Sequence, residues 1–298
     1  MNEVRVRLKC VLCNMDYSKK GNYFVNKVER VAAMNLNLAW DFIFALTLTG
    51  SGGWYLSEKS ARSSISAIRQ FSFFTGLTLL FVLLVGPVPH LAVRIFWVHM
   101  IQHIGIMMLI SPLLVLGSPI KLASQSKYLW IRNAVHVIGG NRVVRVLFKP
   151  QVGFGIFLVV LIATHFSPLA NLGMTNPNAH SLELVLFLLG GVIYYYSVME
   201  GNPHPFFVPY SVRVISLFAM MLPETMVGFF LYSGNRVLHS LPKNTSMQMG
   251  LADQHQGGAI MWAMGMLIDT IWIVLAARDW FANEKQLAEA EDDPRIDS

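Results

Sequence analysis

His99 and His103 stand four residues apart in the run Phe96-Trp-Val-His-Met-Ile-Gln-His103. On a helix that spacing puts both imidazoles on one face, one turn from each other, where they can share a metal ion. His165 and His180 lie at the facing ends of two consecutive apolar blocks, so a short connection brings them close. Glu183 follows His180 by one turn and is placed to support that imidazole as an acceptor behind it, a common arrangement around metal-bound histidine. Asp253 and His255 enter the last apolar block from the same side. The candidate metal ligands are therefore His99, His103, His165, His180, Asp253 and His255, with Glu183 behind them.

Sixteen methionines accompany these histidines, among them Met100, Met174, Met226, Met247, Met249 and Met261. Thioether and imidazole together suit Cu(I), whereas a closed zinc site more often recruits cysteine. Copper is the expected ion. His90 and His239 fall in loops and are read as interfacial side chains. Cys10 and Cys13 form a lone C-x-x-C, read as an incidental pair without the second half that a metal site needs. The helical zinc-hydrolase motif H-E-x-x-H is absent, since the pair reads His99-Met-Ile-Gln-His103. No phosphate loop, nucleophile elbow or nucleic-acid module is legible, and no enzymatic activity is expected.

The elements that must carry these groups follow from composition. Apolar residues make up 54% of the chain and charged residues 13%, against about 25% charged in an ordinary soluble domain. The apolar residues gather in blocks near the roughly 20 residues that a helix needs to cross a bilayer. Seven such blocks run over 38–56, 71–87, 96–116, 153–170, 182–199, 212–231 and 257–277. The expected fold is all-α, a polytopic transmembrane helix bundle of about seven spans. Gly76, Pro112, Pro223 and Gly265 are compatible with it, because neighbouring helices in a bundle can satisfy the backbone groups they free.

Lys121, Lys127, Arg132, Arg142, Arg145 and Lys149 fill one connection, and Lys59, Arg62 and Arg69 another. Basic residues of short loops face the cytoplasm, which puts the N-terminus outside, the C-terminus inside and the histidines at the external face. The net charge of +6 suits loops lying against anionic lipid. The basic segment 1–30 conflicts with this orientation. It is either a translocated tail or sequence ahead of a start at Met34, and we favour the second. Three parts result: an N-terminal extension over 1–34, disordered or preceding the true start; a transmembrane domain over 35–278; and an acidic, solvated cytoplasmic tail over 279–298. Glu224 and Asp269 fall near mid-bilayer and are read as a structural pair.

The stretch from Phe96 to His103, continuing as Ser111-Pro-Leu-Leu-Val-Leu-Gly-Ser-Pro119, resembles the seven-span CtaG-type cytochrome c oxidase assembly factors of bacteria. Thr164-His-Phe-Ser-Pro168, His180-Ser-Leu-Glu183 and Ala252-Asp-Gln-His-Gln-Gly-Gly-Ala-Ile-Met-Trp262 extend the resemblance, which runs from about Leu38 to Ala277. It implies a protein of the bacterial plasma membrane that helps mature a haem–copper oxidase, with oxidase subunits as partners and copper handled at the external face. His99, His103, His165, His180 and Asp253 would carry that role, with Gln254, Gly257 and Met261 shaping the last motif. Two departures stand out: Leu184 where the family often has a second histidine, and Tyr194-Tyr-Tyr196 where that span is usually Trp-rich. A haem-binding redox protein with paired axial histidines and a small-solute or metal transporter are the alternatives from other classes.

Overall fold

The computed structural model describes residues 38–199, 208–241 and 245–291. The segment 1–37, with Cys10 and Cys13, lies outside them. All regular secondary structure among the described residues is helical, and we name its main elements α1 (38–57), α2 (Ala67–Leu84), α3 (Phe96–Leu116), α4 (Leu129–Gly140), α5 (Pro150–Phe166), α6 (Pro168–Thr175), α7 (Pro177–Val198), α8 (Tyr210–Ser233) and α9 (Met247–Glu291). Five of these, α2, α3, α7, α8 and α9, are long and apolar enough to cross a membrane, and α5 with α6 makes a sixth if the bent pair is one span. The bundle presents Phe42, Leu46, Phe71, Val159, Phe218 and Ile271 outward, an apolar exterior that a bilayer can cover.

The helix α3 is the most enclosed of these elements. Residues Gly105–Ile110 within it form a π-helical segment directly after His103. Pro112 has no N–H to give the carbonyl of Met108 four residues back, and Trp272 Nε1 on α9 donates to that oxygen instead, at 2.9 Å. Helices α8 and α9 meet backbone to backbone: a Cβ added at Gly228 would stand 2.8 Å from the Trp262 nitrogen, and one at Gly258 would collide with Tyr232. Small residues permit such close approach between membrane helices.

The expected block over 153–170 is broken. Ser167 is extended, accepts from Leu169 N through its hydroxyl at 3.1 Å, and Pro168 opens α6. The chain turns by 69° there, because Pro fits the first turn of a helix but not its interior. The last helix is longer than expected and runs on to Glu291. Its final turns hold good helix formers, with Trp280 Nε1 donating to Glu284 at 3.0 Å and a Lys285–Glu289 ion pair at 3.7 Å.

The two basic connections pack on each other at one end of the bundle. Lys121 Nζ donates to Ser64 O at 3.3 Å, Lys127 Nζ to Ser57 O at 3.1 Å and Arg69 to Ser118 Oγ at 2.9 Å. At the other end Trp40 Nε1 donates to Asn178 Oδ1 at 2.8 Å, and His90 approaches Asp41 at 3.4 Å. The histidine-bearing parts of α3, α5 and α7 are gathered toward this second end.

Candidate metal centre

Helices α3, α5 and α7 bring His99, His103, His165, His180 and Glu183 together in the interior, all of them buried. The one-turn spacing on α3 brings His99 and His103 together, tilted by 58° with ring centroids 4.0 Å apart, His180 lies 4.9 Å from His99, and His165 lies 5.7 Å from His103. Glu183 sits among them. Its Oε2 is 3.7 Å from His99 Nε2, 3.7 Å from His103 Nε2 and 3.8 Å from His180 Nδ1. Glu183 therefore does more than back one imidazole: it shares three.

Two tautomers follow from the surrounding hydrogen bonds. Gln102 Nε2 donates to the Leu83 carbonyl at 2.6 Å, which turns Gln102 Oε1 toward His180 Nε2 at 3.0 Å. That oxygen can only accept, so His180 carries its hydrogen on Nε2 and, when neutral, directs a bare Nδ1 at Glu183. His165 Nδ1 lies 2.7 Å from the Leu161 carbonyl, again an acceptor only, which leaves Nε2 bare. Fixing one ring nitrogen in this way prepares the other as a ligand.

The cluster's remaining polar atoms are not partnered. Among the described residues, His99 Nδ1, both nitrogens of His103, His165 Nε2, His180 Nδ1 and both oxygens of Glu183 are buried without a hydrogen bond. Each such atom costs about 1–3 kcal/mol, and the concentration of them in one place fits a group that they bind jointly. His99, His103 and Glu183 can offer one atom each with all three within 4.8 Å of one another. Two ligands at 2.0–2.1 Å from a tetrahedral ion stand about 3.3 Å apart, so the two Glu183–imidazole separations of 3.7 Å need close by only a few tenths of an ångström, and the widest pair, within 4.8 Å, by at most about 1.5 Å. The donor set fits a metal ion.

These are the residues that a family comparison covers: the family "Cytochrome c oxidase caa3 assembly factor (Caa3_CtaG)" matches over residues 51–283. The chain belongs to this family. Uncharacterized proteins of Mycobacterium bovis and Mycobacterium tuberculosis are each 28% identical to it over 215 residues, and one of Mycobacterium leprae 29%. The matched region is 66% of this chain and 32% of each of those proteins, so the chain spans about a third of the length of the curated relatives it matches. No solved structure matches it.

The resemblance seen in the sequence thus holds, and the structure gives its last motif specific tasks. Asp253 accepts from Phe96 N at 2.8 Å and Trp97 N at 3.2 Å, satisfying the free donors at the start of α3. It stands apart from the imidazole cluster and holds the helix that presents His99 and His103. Gln254 accepts from Leu238 N at 2.8 Å and donates to Arg236 O at 3.1 Å, pinning the loop between α8 and α9. His255 points elsewhere, to the Gly234 carbonyl at 2.8 Å.

Three contributors carry no clear signal in the sequence. Gln102 acts on a residue far away in the chain. Gly173 on α6 faces the Glu183 carboxylate, where an added Cβ would lie 3.1 Å from Cδ and collide with Oε2. His239, read from its loop position as interfacial, stacks on Phe96 at 4.2 Å. With His99, His165, Met100 and Met174 it lines a cavity of about 20 Å³ beside the cluster. Burial pushes the His239 imidazole below its usual range, partly opposed by the charge of Asp253 and a hydrogen bond with Gln254. Of the methionines that the sequence suggested, Met100, Met174 and Met261 are buried, and Met226, Met247 and Met249 are exposed.

Proposed function

We propose that this protein is an assembly factor for a caa3-type cytochrome c oxidase and that it binds copper as cargo through His99, His103 and Glu183, assisted by His180 and His165. The observation that carries the reading is the group of buried, unpartnered nitrogens and oxygens on three helices of a chain in this family. Imidazoles with nearby thioethers favour Cu(I) among the available ions. Asp253 and His255 take positioning roles, as a helix cap and a loop contact. The protein has no catalytic turnover of its own in this reading.

The bundle crosses the bacterial plasma membrane seven times, α1 and the bent α5–α6 pair included, with the histidines at the external face and the basic connections inside. It is supported by the packing of the two basic connections at the end opposite the cluster, together with the positive-inside bias. The transmembrane domain extends over 35–278, and the end of α9 beyond it projects into the cytoplasm. A haem, the other ligand that paired histidines suggest, is disfavoured by size: among the described residues, three cavities lined by these histidines are about 10–20 Å³, room for a water or an ion and not a macrocycle.

A strain lacking this protein, complemented with wild type or with His99→Ala/His103→Ala, tests the reading. Both proteins should reach the membrane equally, and only the wild type should restore oxidase activity and the copper content of the isolated oxidase. Full restoration by the double variant would mean that the cluster is structural and that the protein acts as a scaffold.

A further inference from the structure

Below the histidine cluster, toward the middle of α3, lies a second cavity of about 10 Å³ bounded by His103, Met107, Met108, His165, Phe187, Glu224 and Met261 among others. Its composition differs from the outer cluster: three buried methionines meet one carboxylate. Glu224 is 3% exposed, and among the described residues both its oxygens, like Oδ2 of Asp269, are buried without a hydrogen-bond partner. No Lys or Arg is among the residues that line the cavity. His165, its tautomer set by Leu161, supplies a bare Nε2 at the same wall. The π-helical segment Gly105–Ile110 carries Met107 and Met108 here, and such segments inside α-helices are frequent at functional sites.

A volume of this size holds one water or one bare ion. A water would satisfy Glu224 and His165 and leave three thioethers without a role beyond packing. A soft monovalent cation uses all of them, since thioether sulfur and neutral imidazole are ligands of choice for Cu(I) and the carboxylate supplies the counter-charge that a buried cation needs. We propose that this chamber is a second, inner position for a soft monovalent cation, held by Met107, Met108, Met261, His165 and Glu224 and adjoining the outer cluster through His103. It rests on the outer cluster being a metal site. Two positions in series allow an ion to pass from imidazole and carboxylate ligands to thioether ligands without meeting bulk water.

The test uses the full-length protein in detergent, titrated with Cu(I) against a colorimetric chelator, with X-ray absorption on the loaded samples. Wild type should bind two Cu(I) per chain with sulfur among the ligands. Met108→Leu/Met261→Leu, which conserves volume and should fold, should bind one with nitrogen and oxygen only. His99→Ala/Glu183→Gln should bind one with sulfur retained. A wild type that binds one ion without sulfur, unchanged in the methionine variant, overturns the inner position and leaves the outer one standing. One ion with sulfur that both variants abolish means a single shared site and also overturns it. No copper in any sample removes both.

Discussion

Glu58 and Glu183 are both glutamates sealed from solvent, 2% and 5% exposed, yet their surroundings are opposite. Glu58, between α1 and the basic connection, is fully partnered: Oε1 accepts from Ser126 Oγ at 2.6 Å and Oε2 from Lys127 N at 3.0 Å. Burial alone would raise its pKa, but those hydrogen bonds and the Lys127 charge outweigh it and hold the carboxyl below its ordinary range. Among the described residues Glu183 has no hydrogen-bonded donor, and three imidazoles stand 3.7–3.8 Å from its Oε2. A buried carboxylate with its partners supplied by the fold is a clasp. One whose partners are themselves ligands is a receptor, and the difference is visible in which atoms remain unsatisfied.

The sharpest way to break the comparison is to change the receptor. Glu183→Gln and His99→Ala/His103→Ala should each lower Cu(I) affinity of the outer cluster at least about 100-fold, since groups that merely support ligands already cost roughly 10–100-fold. The thermal midpoint of the metal-free Glu183→Gln protein should not fall, because the substitution removes a poorly compensated buried carboxylate. A large loss of stability in that variant would place Glu183 with the clasps.

Glu58→Ala should do the reverse, costing about 2 kcal/mol of stability by stranding the Ser126 hydroxyl and the Lys127 N–H, with Cu(I) affinity unchanged. The pH dependence has a definite sign. A carboxyl whose folded pKa is depressed stabilises the fold above its unfolded value and loses that contribution as pH falls through the folded one. Thermal unfolding of wild type should therefore weaken below the ordinary carboxylate value of 4.5 more steeply than that of Glu58→Ala.

Smaller effects sharpen the boundary of the receptor. Gly173→Ala should push the Glu183 carboxylate aside and lower Cu(I) affinity about tenfold, within the range seen for residues behind ligands. Gln102→Leu frees the His180 tautomer and should cost several-fold, just below that range. Equilibrium titration of each variant reads both.

The helical bundle was legible because apolar blocks near bilayer length have few other uses, and His99 with His103 because one helix fixes their spacing. The meeting of α3, α5 and α7 was not, since periodicity tells which face a residue occupies and not which neighbour covers it. For that reason Glu183 could be placed one turn from His180 but not between His99 and His103, and Gln102 gave no signal at all. Asp253 stood out as a candidate metal ligand, and only the fold reveals that its carboxylate caps the start of α3. The break at Ser167-Pro168 had a readable cause, a capping hydroxyl before a proline, hidden by the apolar run around it. Two glutamates that look alike in the chain became opposites only when their partners were in place.

The most direct measurement is a Cu(I) competition titration of three purified proteins: wild type, Glu183→Gln and Glu58→Gln. At the outer cluster, wild type and Glu58→Gln should bind with the same affinity, and Glu183→Gln at least about 100-fold more weakly, as expected when a ligand rather than a support is lost. Equal binding by all three, or none by any, would contradict the assignment of the buried histidine–glutamate cluster as a metal site.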